Sequence, residues 1–216
     1  MKIAVYGATG MVGGQIVKES LRRGHNVTAI SRTGAAVPGT TACRAELADV
    51  RTFASVARDH DAVVLATVPS RTGGDHGEWL AAMKAAFGSA GTTRLLVVGG
   101  AGSLEINGVR LCDSPDFPEP YRSEARSMAA AYDEIRSAPE ALNWTMLAPA
   151  PVMQPGTRSG KYVTADNSPA GRSITTQDFA VAMLDELEAP SHRRARFTVA
   201  NPELNMDAVA TAQPVS

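Results

Sequence analysis

The stretch AVYGATGMVGG, residues 4–14, decides how the rest of the chain is read. It joins the apolar run KIAVYG (2–7) to MVGGQIVKESLRRG (11–24), where Val12, Ile16 and Leu21 fall near one helical face. Gly24 is placed as the stop of that helix. Glycine turns are common wherever a strand meets a helix, so the meaning of this one depends on the remainder of the chain.

The later segments repeat the pattern. NVTAIS (26–31), DAVVLATV (61–68), RLLVVGG (94–100) and NWTMLAPA (143–150) are short runs rich in Val, Leu and Ile, bounded by Gly, Pro, Asn or Asp. Apolar runs without strict alternation suit strands covered on both faces, as in a parallel sheet whose crossovers are helical. Between them, DVRTFASVARDH (49–60) opens on Asp49 as an N-cap, and GEWLAAMKAAFGSAG (77–91) and RSEARSMAAAYDEIRS (122–137) are Ala-rich helix formers. The alternation predicts an α/β fold, a doubly wound parallel sheet with helices on both faces.

Beyond Pro149 the composition shifts to Pro and Gly in PAPVMQPGTRSG, followed by a short run, KYVTA (161–165). A helix is expected at TTQDFAVAMLDELEA (175–189), capped by Thr175 or Thr176, and a last strand at RARFTVA (194–200). The reading is one domain, 1–216. Within it, 151–205 forms a small C-terminal lobe on the substrate side and 206–216 a flexible tail.

Composition narrows the function classes. With 44% apolar residues the 216-residue chain can build a substantial core. Lys plus Arg number 21 and Asp plus Glu 22, so no overall field draws it to nucleic acid or an anionic membrane. Cys43 and Cys112 form no CxxC pair and no disulfide framework, and no metal site is expected. No secretion signal is visible, and the apolar runs fall far short of the roughly 20 residues of a membrane helix. These features together suggest a reduced, cytoplasmic setting.

Gly7, Gly10 and Gly13 form GxxGxxG between the first strand and first helix. Gly7 would permit a tight turn, Gly10 would let the backbone approach a pyrophosphate, and Gly13 would let the helix pack closely on the sheet. The free N–H groups around Met11 and Val12 would then face the phosphates. At the end of the second run the chain reads Ile30, Ser31, Arg32, without the acid that holds the ribose hydroxyls of NAD. A guanidinium beside a hydroxyl suits a 2′-phosphate, which favours NADP(H) over NAD(H); the competing reading of Arg32 is a solvated surface side chain.

GATGMVGG resembles the glycine motif of the atypical short-chain dehydrogenase/reductases, in particular the NmrA-like NAD(P)-binding group. The likeness continues through ISR, DAVVLATV, LLVVGGAGSL, WTMLAPAPVMQPG and ITTQDFAVAMLDELE, nearly the whole chain. It implies a Rossmann fold with a dinucleotide across the carboxyl edge of its sheet, held by Gly7, Thr9, Gly10, Met11, Val12, Ser31 and Arg32. In similar proteins a segment after the third strand touches adenine; here it is Ala45, Glu46 and Leu47, with Glu46 accepting from the adenine amino group. Ala66, Thr67 and Val68 would border adenine and ribose, and Gly100, Pro149 and Ala150 complete the implied cofactor contacts.

The same likeness frames the chemistry. Short-chain dehydrogenases use Tyr followed four residues later by Lys, whose charge lowers the phenol pKa. Tyr121 occupies the Tyr position, but the fourth following residue is Ala125. Alkoxide-forming oxidation through such a pair is therefore not expected, whereas a reduction needs only a proton donor near the hydride acceptor. Ser103 and Tyr121 are the candidates to polarise a substrate; their structural alternatives are a turn cap and a packed cleft residue. His76, in RTGGDHGEW, either reaches over the cofactor or is solvated, and the other histidines show no triad or metal spacing.

SLEINGVRLCDSPDFPEPY (103–121) reads as a long irregular segment shaping a pocket, with Met153, Tyr162 and Trp79 lending it apolar surface. The expectation is an NADPH-dependent oxidoreductase, monomeric or homodimeric, that reduces a small molecule such as a quinone, flavin or carbonyl compound. Alternatives are a non-catalytic NADP(H)-binding redox sensor and a sugar-nucleotide epimerase or dehydratase.

Overall fold

The computed structural model describes residues 1–70 and 75–202. Its elements begin with β1 (Lys2–Tyr6), α1 (Met11–Arg22), β2 (Asn26–Ser31), β3 (Thr41–Arg44), α2 (Val50–Asp59), β4 (Ala62–Leu65), α3 (His76–Ser89) and β5 (Arg94–Val98). There follow β6 (Glu105–Ile106), β7 (Val109–Arg110), α4 (Glu119–Arg136), β8 (Trp144–Pro149) and β9 (Val152–Gln154). The chain continues through β10 (Val163–Ala165), β11 (Ser173–Thr175), α5 (Thr176–Glu188) and β12 (Ala195–Ala200). Single 3-10 turns occupy Ala101–Ser103 and Leu111–Asp113.

Eight strands form the main sheet in the order β10-β12-β8-β5-β4-β1-β2-β3. Every neighbouring pair is parallel except β10 on β12. The chain leaves β1 toward β2 and β3, then crosses back to β4 on the other side of β1. The carboxyl ends of β1 and β4 therefore flank the switch point at which an open α/β sheet leaves a crevice.

Both faces of the sheet are covered, which is why its strands lack polar alternation. In β1, Ile3 and Val5 face a core with Ile16 and Val17 of α1 and Phe179, Met183 and Leu184 of α5. Ala4 and Tyr6 face the other core, with Phe53 of α2, Met83 and Phe87 of α3, and Tyr132 and Ile135 of α4. Each such fully buried large side chain contributes roughly 1.5–3 kcal/mol.

The helix ends obey local chemistry. Asp49 Oδ1 accepts from the Thr52 N–H at 3.1 Å, Asp75 Oδ1 from Gly77 at 2.7 Å, and Thr175 Oγ1 from Asp178 at 3.0 Å. Gly24 leaves α1 at φ +78°, a conformation in which a side chain would be strained. Among the described residues no helix is long and apolar enough to cross a membrane.

Three parts of the sequence reading need correction. β3, placed before Ala45 by family likeness alone, drew no run of its own because, as the sheet's edge strand, it is largely exposed and carries no apolar run. The segment 103–121 is not irregular: β6 and β7 pair antiparallel about Asn107 (φ +53°) and Gly108 (φ +78°), a two-residue turn that the Asn-Gly pair encodes. Arg122 then clamps the following segment, donating to the carbonyls of Cys112, Ser114 and Phe117 at 2.9, 3.0 and 2.8 Å.

The third correction concerns the C-terminal lobe. β12 lies inside the main sheet between β8 and β10, and α5 packs with α1 on one face. The parallel β9–β11 pair forms a separate small sheet, followed after β9 by the segment 155–161. That segment is fastened to Asp178, whose Oδ1 accepts from the N–H groups of Ser159 and Gly160, each at 2.8 Å. Its Oδ2 accepts from Ser159 Oγ and Asn201 Nδ2 at 2.8 and 2.7 Å. Burial alone would push this carboxyl up, but its donors hold it below the usual carboxylate range. The tail expected over 206–216 lies outside the described residues.

Candidate functional site

The glycine turn is built by close approach. Gly7 has φ +77°, and a Cβ there would collide with the carbonyl of Ala66 at the end of β4. A Cβ on Gly13 would collide with the Gly7 carbonyl and stand 3.3 Å from Ala66 Cβ. Gly10 caps α1 with its backbone and donates its N–H to the Gly7 carbonyl at 2.9 Å. No side chain caps α1, and no acid lies in its first turn, so the N–H groups of that turn have no intrahelical acceptor. Thr9 and Met11 are exposed beside it, while Val12 packs half-buried on the core. The cradle, its free donors and its position at the switch point fit the pyrophosphate of a dinucleotide.

The ends of β2 and β3 make the second part. Ser31 pairs in register with Arg44, so Arg32 leaves the sheet beside it. An open cavity of about 500 Å³ is lined here by Arg32, Arg44, Ala45, Glu46, Ala48 and Asp49. Arg44 escaped the sequence reading; the only signal for it was its place one residue before the Ala45–Leu47 segment. Ser31, by contrast, is buried, and its Oγ accepts from the Ala35 N–H at 3.2 Å, so it shapes the turn instead of facing a ligand. Leu47 is half-buried against the core, with Glu46 exposed on the rim.

The third part surrounds the carboxyl ends of β4, β5 and β8. Ala66 and Thr67 are half-buried and Val68 is exposed. Thr67 Oγ1 accepts from Trp79 Nε1 at 3.3 Å and donates toward Met83 Sδ at 3.7 Å, which commits it to the protein. Gly100 is partly exposed, whereas Pro149 and Ala150 are buried; the exposed positions of that strand end are Pro151 and Val152. Direct cofactor contact through the side chains of Pro149 and Ala150 is therefore not available in this conformation.

The two catalytic candidates separate. Ser103 has 0% exposure, and its hydroxyl donates to the Gly100 carbonyl at 2.9 Å, so it caps the 3-10 turn and meets no substrate. Tyr121 stands on the first turn of α4 with 62% exposure, and its hydroxyl has no partner among the described residues. Ala125 is buried where α4 meets that turn, and a Cβ on Gly102 would come within 2.6 Å of its own Cβ. Position 125 thus carries a small side chain in close packing with Gly102, where the short-chain dehydrogenase pattern has lysine.

The remaining expected pocket residues serve the scaffold. His76 opens α3, half-buried, with Nε2 2.7 Å from the Ser70 carbonyl and Nδ1 2.9 Å from Ser127 Oγ, so both ring nitrogens are engaged by the protein. Tyr162 donates to Asp185 Oδ2 at 2.6 Å, and Met153 and Trp79 pack on the two cores. Among the described residues, the exposed large apolar side chains include Met11, Val68, Tyr121 and Val152, which follow or face the carboxyl ends of the strands.

Comparison with known proteins agrees with this geometry. A family model described as NAD(P)H-binding matches residues 7–190. The chain is 37% identical over 210 residues to the uncharacterized Bacillus subtilis protein YwnB, covering 92% of this chain and 98% of YwnB. A Streptococcus pneumoniae structure, provisionally named an NADH-flavin reductase, superposes with a TM-score of 0.81 at 31% identity, over 94% of this chain and 100% of the other. A Bacteroides thetaiotaomicron structure, provisionally named an epimerase, gives 0.82 at 32% identity, over 94% and 98%.

Proposed function

The chain belongs to the NAD(P)H-binding family of atypical short-chain dehydrogenase/reductases, and from that membership we propose that it is an NADPH-dependent reductase of a small conjugated acceptor. Quinones, flavins and conjugated carbonyl compounds are the acceptor classes. When bound, the nicotinamide supplies hydride chemistry. Gly7, Gly10 and the N–H groups of the first turn of α1 hold the pyrophosphate, and Arg32 meets the adenosine ribose with Glu46 on the adenine rim.

The observation that carries the direction of the reaction is Ala125 packed against Gly102. It leaves no lysine four residues after Tyr121, and it argues against both alcohol oxidation and the epimerase or dehydratase reading. Reduction survives this loss, because Tyr121 need only donate a hydrogen bond or a proton to an acceptor. The apolar exposure of Met11, Val68, Tyr121 and Val152 along one sheet edge supports a flat, weakly polar acceptor. The name carried by the Streptococcus pneumoniae relative points the same way.

The test is anaerobic NADPH oxidation against a panel of quinones, free flavins and conjugated aldehydes, run beside direct titration of NADPH binding. Turnover with at least one class is expected. Tight binding without turnover on any acceptor would instead favour a redox sensor, the reading that the same missing lysine also permits.

A further inference from the structure

We propose that Arg44 is a second determinant of cofactor choice, forming with Arg32 a paired-guanidinium cradle for a phosphate monoester on the adenosine ribose. The inference rests on the NADPH reading above and adds to it a residue on a different strand.

The backbone brings the two arginines together. Ser31 and Arg44 are register partners in adjacent parallel strands, and Arg32 is the next residue along. Arg44 Nε donates to the Arg32 carbonyl at 3.1 Å, which fixes one corner of the guanidinium and leaves its two terminal amino groups as a fork. Those groups, like the guanidinium of Arg32, have no hydrogen-bond partner among the described residues. Gly34, at φ +68°, lets the turn after β2 close onto the Arg44 stem; a Cβ there would stand 3.0 Å from Arg44 Cβ. The Arg44 side chain is thereby held from two directions.

The cavity lining carries two guanidinium groups and two carboxylates, and hydrogen bonding sets them apart. Of its two carboxylates, Asp49 is taken by the Thr52 N–H at 3.1 Å and the Thr52 hydroxyl at 2.6 Å, as the cap of α2. Glu46 is the other carboxylate, so the formal charges of the described lining cancel, and what it offers an anion is the unpaired N–H donors of two guanidinium groups. Two like charges on adjacent strand ends repel in the free protein, and an anion between them converts that repulsion into two charge-assisted contacts. The end of the second strand is where a Rossmann sheet meets the adenosine ribose, so the anion that fits is a ribose 2′-phosphate.

The test is calorimetric titration of NADPH, NADH, 2′,5′-ADP and ADP into the full chain and into Arg32→Ala, Arg44→Ala, Arg44→Lys and the double alanine variant. Unfolding midpoints confirm that each variant is folded. The 2′,5′-ADP arm needs no nicotinamide, so it reads the site independently of any reduction. Arg44→Ala is expected to weaken NADPH and 2′,5′-ADP by about 10–100-fold while NADH and ADP change by less than about 2-fold. Arg44→Lys keeps the charge but loses the fork, and should recover only part of the loss. The double variant should bind NADPH and NADH alike.

Equal losses for NADPH and NADH in Arg44→Ala, or no loss in either, overturn the role of Arg44. If the unaltered chain prefers NADPH and Arg32→Ala alone removes that preference, the NADPH reading stands and only this inference falls. If the unaltered chain shows no preference for NADPH, both fall together.

Discussion

Arg158 meets Glu19 through two contacts, Nε to Oε2 and Nη2 to Oε1, each at 2.8 Å, and so ties the segment after β9 to the middle of α1. Arg23 donates to the same carboxylate at 2.9 Å and also reaches Asp185 and Glu188 at 2.8 and 2.7 Å. The hydrogen bonds from Arg158, and then from Arg23, outweigh burial and hold the Glu19 carboxyl near 2, against a usual 4.5.

A depressed carboxyl makes acid the destabilising direction. The contribution of Glu19 is fully present above about pH 4.5 and is lost as pH falls toward 2, and it amounts to roughly 3 kcal/mol at most. Urea midpoints measured from pH 6 to pH 3 should fall steeply for the unaltered chain. In Glu19→Gln the midpoint should already be lower at pH 6, and the fall toward pH 3 shallower. Parallel curves for the two proteins would remove Glu19 from the account.

Two neighbouring glycines of α1 should respond with opposite signs. Gly13→Ala places a methyl group into the Gly7 carbonyl and is expected to destabilise by about 3 kcal/mol and to weaken dinucleotide binding. Gly14→Ala meets nothing closer than the Ala8 carbonyl at 3.6 Å and should stabilise the helix by about 0.5–1 kcal/mol. Thermal melts of the two variants, with NADPH titrations, read both effects. A benign Gly13→Ala would mean that the turn yields where the geometry says it is tight.

Ser103 and Tyr121 should divide stability from turnover. Ser103→Ala removes a hydrogen bond to Gly100 and is expected to lower stability by about 1 kcal/mol, with NADPH affinity unchanged. Tyr121→Phe touches an exposed hydroxyl and should leave the melting curve alone while lowering kcat on the preferred acceptor by about 10-fold. If Tyr121→Phe leaves kcat unchanged, water supplies the proton.

At the opposite end of the sheet, Glu186 joins buried Arg94 at 2.8 Å to His192 Nδ1 at 2.8 Å. Burial would push the Glu186 carboxyl up, but hydrogen bonds from His192 and Ser191 hold it down. Glu186→Ala strands the Arg94 cation and is expected to cost about 3–5 kcal/mol, measured by chemical unfolding. A loss below about 1 kcal/mol would show that water reaches Arg94 once the partner is gone.

The elements legible in the sequence were those whose physics is local. Apolar runs covered on both faces announce themselves, and so do side-chain caps such as Asp49 and Thr175. β3 was illegible because an edge strand with an open face needs no apolar run, and with it went Arg44. The Asn107–Gly108 hairpin had a readable turn pair, obscured by the Pro and Asp residues after it. At the site, the glycines were legible because backbone approach leaves a residue-type signature. Burial does not, so Ser103, Pro149 and Ala150 looked as available as Tyr121 until their surroundings were known.

The place of β12 also sets an order of events during synthesis. The strands from β1 to β8 carry the glycine turn, both arginines and Tyr121, and all have emerged once residue 149 has left the ribosome. The outer edge of β8 nevertheless stays unpaired until residues 195–200 arrive to lie against it. For about fifty residues of elongation, at roughly 5–20 residues per second, the nascent chain carries a cofactor site beside an open apolar edge. A dinucleotide that engages the glycine turn during those seconds acts as a folding ligand, ahead of the arrival of α5, which closes the core beneath α1.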